Sequence, residues 1–221
     1  MKVTKKEIKF IIIHYTGMQS ESESIKRLTD IKSKVSSHYL INRKGNIIQM
    51  VSEKYVAWHA GKSQWKNYIN LNNSSIGIEL VNRGHEFGYQ SFSFKQIKSL
   101  KLLLVKLVKK YKIKKNCILG HSDIAPLRKK DPGEKFPWQL LNKKRISLWH
   151  NLNEKKCKNL RKIKLTDNKD FYKLLFKFGY KSSNNNKEKI KIYKSFQRRF
   201  RPQLISSIVD QESYEILKSL I

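Results

Sequence analysis

Fourteen residues, Gly120-His121-Ser122-Asp123-Ile124-Ala125-Pro126-Leu127-Arg128-Lys129-Lys130-Asp131-Pro132-Gly133, gather three groups with chemistry. They carry an imidazole at His121, a carboxylate ten positions later at Asp131, and an ammonium at Lys129, two before that carboxylate. Pro126 and Pro132-Gly133 interrupt any regular element, so the stretch reads as a loop leaving a short strand, Cys117-Ile118-Leu119. Loops at the ends of buried strands suit catalytic groups, because the scaffold fixes them while the loop keeps them accessible. Catalytic zinc takes three protein ligands and keeps a fourth position open. A third ligand is on offer at His14, which ends the apolar run Phe10-Ile11-Ile12-Ile13 and would stand at the rim of a strand buried on both faces. On spacing alone a plainer reading stays open, in which His14 caps a core strand and His121 closes a turn.

The elements that must position these groups alternate between the two periods. Residues 8–14 predict the first core strand and 22–31 a short helix behind a serine cap. Residues 36–41 and 46–51 predict two strands joined through Arg43-Lys44-Gly45-Asn46. Residues 55–73 lack periodicity and form a long connection of the kind that is usually functional. In the strand 75–81, Ile76, Ile78 and Leu80 alternate with Gly77 and Glu79. A carboxylate inside so apolar a strand is costly to bury unless it is paired or functional, or else it is exposed. Residues 94–111 predict the clearest helix, with Ile97, Leu100, Leu104, Leu107 and Val108 on one stripe. A further helix is predicted over 138–152 and a basic linker over 153–167. Beyond it, helical patterns near 171–178, 190–200 and 214–220 predict a small three-helix module, or a helical tail packed on the first domain.

Lys and Arg number 48 against 17 Asp and Glu, a net charge of +31. Such a field attracts polyanions, including anionic wall polymers. Compositional drift towards Lys, Asn and Ile is the favoured explanation over a selected polyanion site, and the two readings can coexist. A specific nucleic-acid binder would interleave aromatics with the basic residues on one exposed surface. Here the aromatics near 171–200 fall at core spacing, which argues against that class. The two cysteines, Cys117 and Cys157, imply no disulfide framework. Residues 1–9 are basic without an apolar core, so no export signal is read, and no stretch approaches a membrane span. As written, the chain is expected to be a cytoplasmic, soluble monomer, or a periplasmic or wall protein if a leader has been removed.

Six blocks in order, Ile-Ile-His-Tyr-Thr at 12–16, Ser-Ser-His-Tyr-Leu-Ile at 36–41, Trp-His-Ala-Gly at 58–61, Ile-Gly-Ile-Glu-Leu at 76–80, Gly-His-Ser-Asp-Ile-Ala-Pro at 120–126 and Lys-Lys-Asp-Pro-Gly at 129–133, resemble the type-2 N-acetylmuramoyl-L-alanine amidases. The resemblance implies an α/β fold, a central mixed β-sheet flanked by helices. It also implies one Zn²⁺ on His14, His121 and Asp131, and hydrolysis of the amide between the lactyl group of N-acetylmuramic acid, or its 1,6-anhydro form, and L-alanine. Glu79 matches the general base, which takes a proton from the attacking water and hands it to the leaving nitrogen. Lys129 matches, by its offset from Asp131, the lysine that stabilises the oxyanion, with Lys130 a near rival. Tyr15, Trp58, His59 and Asn82 are candidate groove residues for a peptidoglycan or muropeptide substrate, and His38 is read as structural. Gly179-Tyr180 and Phe196-Gln197-Arg198-Arg199-Phe200-Arg201-Pro202 resemble a peptidoglycan-binding module. The implied organisation is a catalytic domain 1–152, a linker 153–167 and a helical domain 168–221. A non-catalytic peptidoglycan-recognition protein is the alternative, although such members lose metal ligands and this chain keeps them.

Overall fold

Strand alternation sorts the apolar residues of this chain onto two sides of one sheet. The computed structural model describes residues 7–221; the first six, read above for a leader, lie outside the described residues. The sheet takes β1 (Phe10–Tyr15), β2 (Tyr39–Ile41), β3 (Ile47–Gln49), β6 (Ser75–Leu80) and β7 (Ile118–Gly120) in the order β3-β2-β6-β1-β7. β1 runs parallel to β6 and β7, and β6 parallel to β2, while β3 returns antiparallel. The predicted mixed sheet is therefore present.

One face of the sheet presents Ile11, Ile13, Ile76, Ile78, Leu80 and Ile118. Against it packs α2 (Phe94–Tyr111) through Ile97, Leu100, Leu103, Leu104 and Leu107. The helix starts where Ser93 accepts from the Gln96 N–H and stops where Lys112 adopts a left-handed conformation. At the ends of the strands, α1 (Glu21–Thr29), capped by Ser20, brings Ser24, Arg27 and Leu28 to the wall of the cavity described below. The opposite face presents Phe10, Ile12 and Leu119.

That second face is covered by two segments. The long connection holds a small hairpin, β4 (Gln64–Trp65) with β5 (Tyr68–Ile69), before a 3₁₀ turn at Leu71–Ser74. The rest of the cover comes from α6 (Lys169–Phe178), α7 (Asn186–Phe200) and α8 (Gln211–Leu220). Phe171, Phe178, Tyr180, Phe196 and Ile216 join Phe10, Ile12 and Leu119 in one apolar cluster, so these helices pack on the sheet. Gly179, at φ +147°, lets the chain turn out of α6 while Trp65 presses on its Cα; a Cβ there would lie 2.6 Å from the indole.

Three expectations are corrected. The loop 120–133 opens with a helical turn, α3 (His121–Ile124), because Gly120 caps it and Asp123 accepts from the Gly120 N–H. The helix predicted over 138–152 is only α4 (Trp138–Asn142), since Arg145 turns left-handed and Ile146 bonds back to Leu141. Residues 153–167 are no extended linker: α5 (Glu154–Leu160) buries Cys157, and Arg161 holds Glu212 of α8 at 2.6 Å.

Candidate active site

The site forms where three parallel strands end. His14 sits one residue from the end of β1 and is paired in register with Glu79 on β6. Paired residues on parallel strands point to the same face, so the imidazole and the carboxylate stand side by side, about one strand spacing apart. Gly120 ends β7, and His121 opens the turn that follows. Asp131 returns to this turn, where its carbonyl accepts from the Ser122 N–H at 2.8 Å. Ligand-bearing ends of parallel strands are the usual place for sites in α/β sheets.

His14, His121 and Asp131 are all buried, and their donor atoms lie within 4.8 Å of one another. His14 Nδ1 is 3.0 Å from His121 Nδ1 and 3.0 Å from Asp131 Oδ2, which is 3.1 Å from His121 Nδ1. What stands behind His14 fixes its tautomer. The Ser75 hydroxyl donates to the Leu71 carbonyl at 2.6 Å, so it accepts from His59 Nε2 at 3.2 Å. His59 Nδ1 then accepts from His14 Nε2 at 3.0 Å. His121 Nε2 lies 3.1 Å from the Ala60 carbonyl and 3.2 Å from Arg128 Nη2, which itself donates to that carbonyl. His14 therefore aims a bare Nδ1 lone pair at the Asp131 carboxylate, and His121 Nδ1 converges on the same oxygen. Two imidazole nitrogens and a carboxylate oxygen converging in this way are a zinc donor set. The group is positioned to hold a metal.

Burial and the neighbouring His121 lower the pKa of His14 to about 4, against the opposing hydrogen bond to Asp131, so the ring is neutral at pH 7. Burial alone would raise Asp131, but the closeness of the His121 and His14 rings holds it well below the usual carboxylate range. Glu79 goes the other way. Burial, then repulsion from Asp131, pushes it up to about 8, with Lys129 pulling against both. Glu79 Oε2 is enclosed and has no hydrogen-bond partner among the described residues. A buried orphan oxygen beside a metal-type donor set is the kind of unmet demand that marks a working group.

A cavity of about 360 Å³ opens over these residues and is lined by His14, Glu79, His121, Lys129 and Asp131. Lys129 and Lys130 both reach it, and the Lys129 charge acts on His14 and Glu79. Tyr15 and the exposed Trp58 line the wall. His59 touches the cavity but spends both ring nitrogens on His14 and Ser75, so it backs a ligand more than it forms a groove. Gly77 permits this: a Cβ there would lie 2.4 Å from the His59 ring. Asn82 does not line the groove. It is buried, donating to the Gln90 carbonyl and accepting from the Gly84 N–H, because the chain beyond β6 needs its turn closed. His38 is structural, accepting from the Gly77 N–H and donating to the Tyr55 carbonyl.

Two contributors gave no sequence signal. His85 accepts from the Tyr15 hydroxyl at 2.8 Å and donates to Glu134 at 3.2 Å, on the cavity wall. Arg128 donates to the carbonyls of Ala60 and Lys62, clamping the Trp58–Gly61 block against His121. Both rest on contacts between segments some fifty residues or more apart, which local spacing does not encode.

Residues 4–134 match the family model described as N-acetylmuramoyl-L-alanine amidase. That span is more than half of the chain. The chain belongs to this family. The N-acetylmuramoyl-L-alanine amidase AmiD of Escherichia coli K12 is 36% identical over 230 residues, 97% of this chain and 82% of its own. The 1,6-anhydro-N-acetylmuramyl-L-alanine amidase AmpD of Haemophilus influenzae is 43% identical over 107 residues, covering 48% of this chain and 56% of its own. Among solved structures, E. coli AmiD in complex with anhydro-N-acetylmuramic acid-L-Ala-D-gamma-Glu-L-Lys superposes with a TM-score of 0.86 at 34% identity, over 98% of this chain and 89% of that one. AmpDH3 of Pseudomonas aeruginosa, in complex with an anhydromuramic pentapeptide, gives 0.86 at 30% identity, over 98% and 92%. As an amidase of this family the chain is a hydrolase, with the mixed sheet flanked by helices that its relatives share. No helix among the described residues is long and apolar enough to cross a membrane.

Proposed function

We propose that this amidase hydrolyses the amide between the lactyl group of N-acetylmuramic acid, in its anhydro form or within wall glycan, and L-alanine. The ligands would be His14, His121 and Asp131, with one zinc ion. The observation that carries this reading is the convergence of three metal-type donor atoms beside Glu79, whose buried oxygen has no partner among the described residues, on the floor of one cavity. Bound there, zinc supplies Lewis acidity, drawing the pKa of water from 15.7 towards about 7 and polarising a carbonyl.

The chain's own residues supply the rest. Glu79 takes a proton from the attacking water and carries it to the nitrogen, which leaves only as an amine. Burial raises the pKa of Glu79 to about 8, so its ionised carboxylate is a stronger base than a free glutamate and can take the water's proton and return it to the nitrogen. Lys129 brings its ammonium to the carbonyl oxygen as negative charge develops, an interaction stronger in the transition state than in the ground state. Tyr15 and Trp58 give the sugar and stem peptide aromatic surface, with His59 keeping His14 aimed. The protein acts as a monomer on muropeptides, a substrate class supported by the anhydromuramyl peptides held by the two structural relatives. Division into a catalytic part, 1–152, and a helical part, 168–221, is retained as a proposal, the second adding glycan contacts as the block 196–202 implies.

The test is zinc content together with hydrolysis of a purified anhydromuramyl tripeptide. The wild type is expected to bind about one zinc and release the peptide, and Glu79→Ala to keep the metal while losing turnover by roughly 10²–10⁴-fold. A zinc-loaded wild type that binds the muropeptide without cleaving it would make the protein a receptor instead.

A further inference from the structure

The turn that carries His121 is held from the far end of the chain. Asp123, two residues past His121, is fully buried. Its Oδ2 accepts from the Gly120 N–H at 2.7 Å and from Arg199 Nη1, and its Oδ1 accepts from the Tyr180 hydroxyl at 2.5 Å. The same guanidinium donates through Nη2 to the Ile118 carbonyl at 2.9 Å and lies 4.3 Å over the Trp138 ring. One turn earlier on α7, Ser195 donates to the Ser122 carbonyl at 2.6 Å. Arg198, next to Arg199, approaches Glu134 at 3.9 Å, just past Asp131.

These contacts are directional where the apolar packing around them is not. Phe171, Phe196 and Phe200 would hold the turn near the sheet in many rotations, since apolar burial has no preferred angle. A planar fork bonded to two acceptors, stacked on an indole, has one arrangement. A buried ion pair adds little stability over apolar packing, so its use here is to specify geometry. Ile118, Gly120, Ser122 and Asp123 each bond within this network, and His121 sits in their midst with its Nδ1 3.0 Å from His14 Nδ1.

We propose that α7 is a positioning element of the metal centre: Arg199 and Tyr180, acting through Asp123, hold the 121–124 turn in the one rotation that aims His121 Nδ1 at His14 and Asp131. The proposal rests on those three residues being the metal ligands. It gives the C-terminal helices a part in catalysis separate from any contact they make with glycan.

A matched pair of tyrosines tests it. Tyr180→Phe and Tyr193→Phe each remove one buried hydroxyl from the same helical layer, but the Tyr193 hydroxyl bonds to Ser213, the Ile208 carbonyl and Arg201 Nη2 instead. Zinc dissociation constants would be read by competition with a chromophoric chelator, rotation of the ligand by the visible spectrum of the cobalt-substituted protein, and folding by thermal melting. Tyr180→Phe is expected to weaken zinc on the order of tenfold and to shift the cobalt spectrum, Arg199→Met to weaken it nearer a hundredfold, and Arg199→Lys to recover part of the loss. Tyr193→Phe is expected to lower the melting point while leaving affinity and spectrum as in wild type. Should Arg199→Met fail to fold, Tyr180→Phe decides. Wild-type affinity and spectrum in folded Tyr180→Phe would overturn the proposal alone. A wild type that binds no zinc would overturn the ligand assignment and the proposal with it.

Discussion

The two faces of the sheet are built from alternate residues of the same strands, yet they are held down by different chemistry. Under α2 the contacts are mainly aliphatic, Ile11, Ile13, Ile76, Ile78 and Leu80 against Ile97, Leu100, Leu104 and Leu107, with one buried amide, Gln96, donating to the Ile41 and Val81 carbonyls. Across the sheet, aromatic packing is crossed by buried polar groups, among them Asp123, Arg199, Ser195 and Arg201. Aliphatic faces tolerate rearrangement as long as volume is kept, whereas a buried hydrogen-bonded charge has one satisfactory geometry. The site lies on the polar face, where His14 and Glu79 extend the row begun by Ile12 and Gly77. The fold thus divides labour, one face supplying stability and the other placing donor atoms.

Substitutions on the two faces should therefore fail in different ways. Glu79→Gln keeps the shape of the side chain and removes its proton chemistry. It should lower kcat by roughly 10²–10⁴-fold with zinc content unchanged, as single-turnover hydrolysis of a muropeptide would show. On the other face, Leu104→Ala leaves a cavity under α2 and should cost about 2–5 kcal/mol in urea unfolding. Its kcat per folded molecule should stay within about twofold of wild type. A tenfold loss of kcat in Leu104→Ala would show that the faces are not separable.

The division also sets the pH dependence of the metal-free protein. His14 falls from an ordinary 6.5 to about 4 in the fold, so the unfolded chain binds the extra proton and stability is lost as pH falls from 6.5 towards 4. Glu79 rises from 4.5 to about 8, so the native state binds the extra proton and stability is lost as pH rises from 4.5 towards 8. Above pH 6.5 only the Glu79 effect remains of these two. Glu79→Gln in chelator-treated protein should therefore unfold at higher denaturant than wild type at pH 8.5, by a few kcal/mol. At pH 4 the two should nearly coincide. Equal stability of both proteins at pH 8.5 would mean that the carboxylate finds solvation the fold does not show.

Legibility in the sequence followed the same division. Periodicity located the aliphatic face, down to the limits of α2, because a stripe repeats locally. Ordered motif blocks brought His14, Glu79, Lys129 and Asp131 to one cavity, because each block ends or follows a strand. What stayed hidden depends on pairings across the chain. Arg199 reads as one more cation among forty-eight Lys and Arg until Asp123 is placed beside it. Asn82 looked like a groove amide and is a turn-closing one, and both roles use the same group. Residues 153–167 looked like a linker because basic residues outnumber apolar ones there, yet Cys157, Arg161, Leu165 and backbone bonds to Val209 and Gln211 dock the segment.

The smallest effect should come from the cavity wall, where the two kinds of contact meet. His85 Nε2 donates to Glu134, so Nδ1 is left as an acceptor and the Tyr15 hydroxyl must be the donor in their 2.8 Å bond. Tyr15→Phe removes that one bond while the ring keeps its place near His85 and Tyr89. A bond of this class contributes about 1 kcal/mol, or roughly fivefold in an equilibrium. No proton of the reaction passes through it, so the loss should fall on binding: KM for a muropeptide should rise about two- to tenfold with kcat within twofold. His85→Gln, which keeps an acceptor but not the ring, should give a similar KM. A kcat loss of a hundredfold in Tyr15→Phe would instead make the phenol a participant in proton transfer, and the assignment of that task to Glu79 alone would have to be given up.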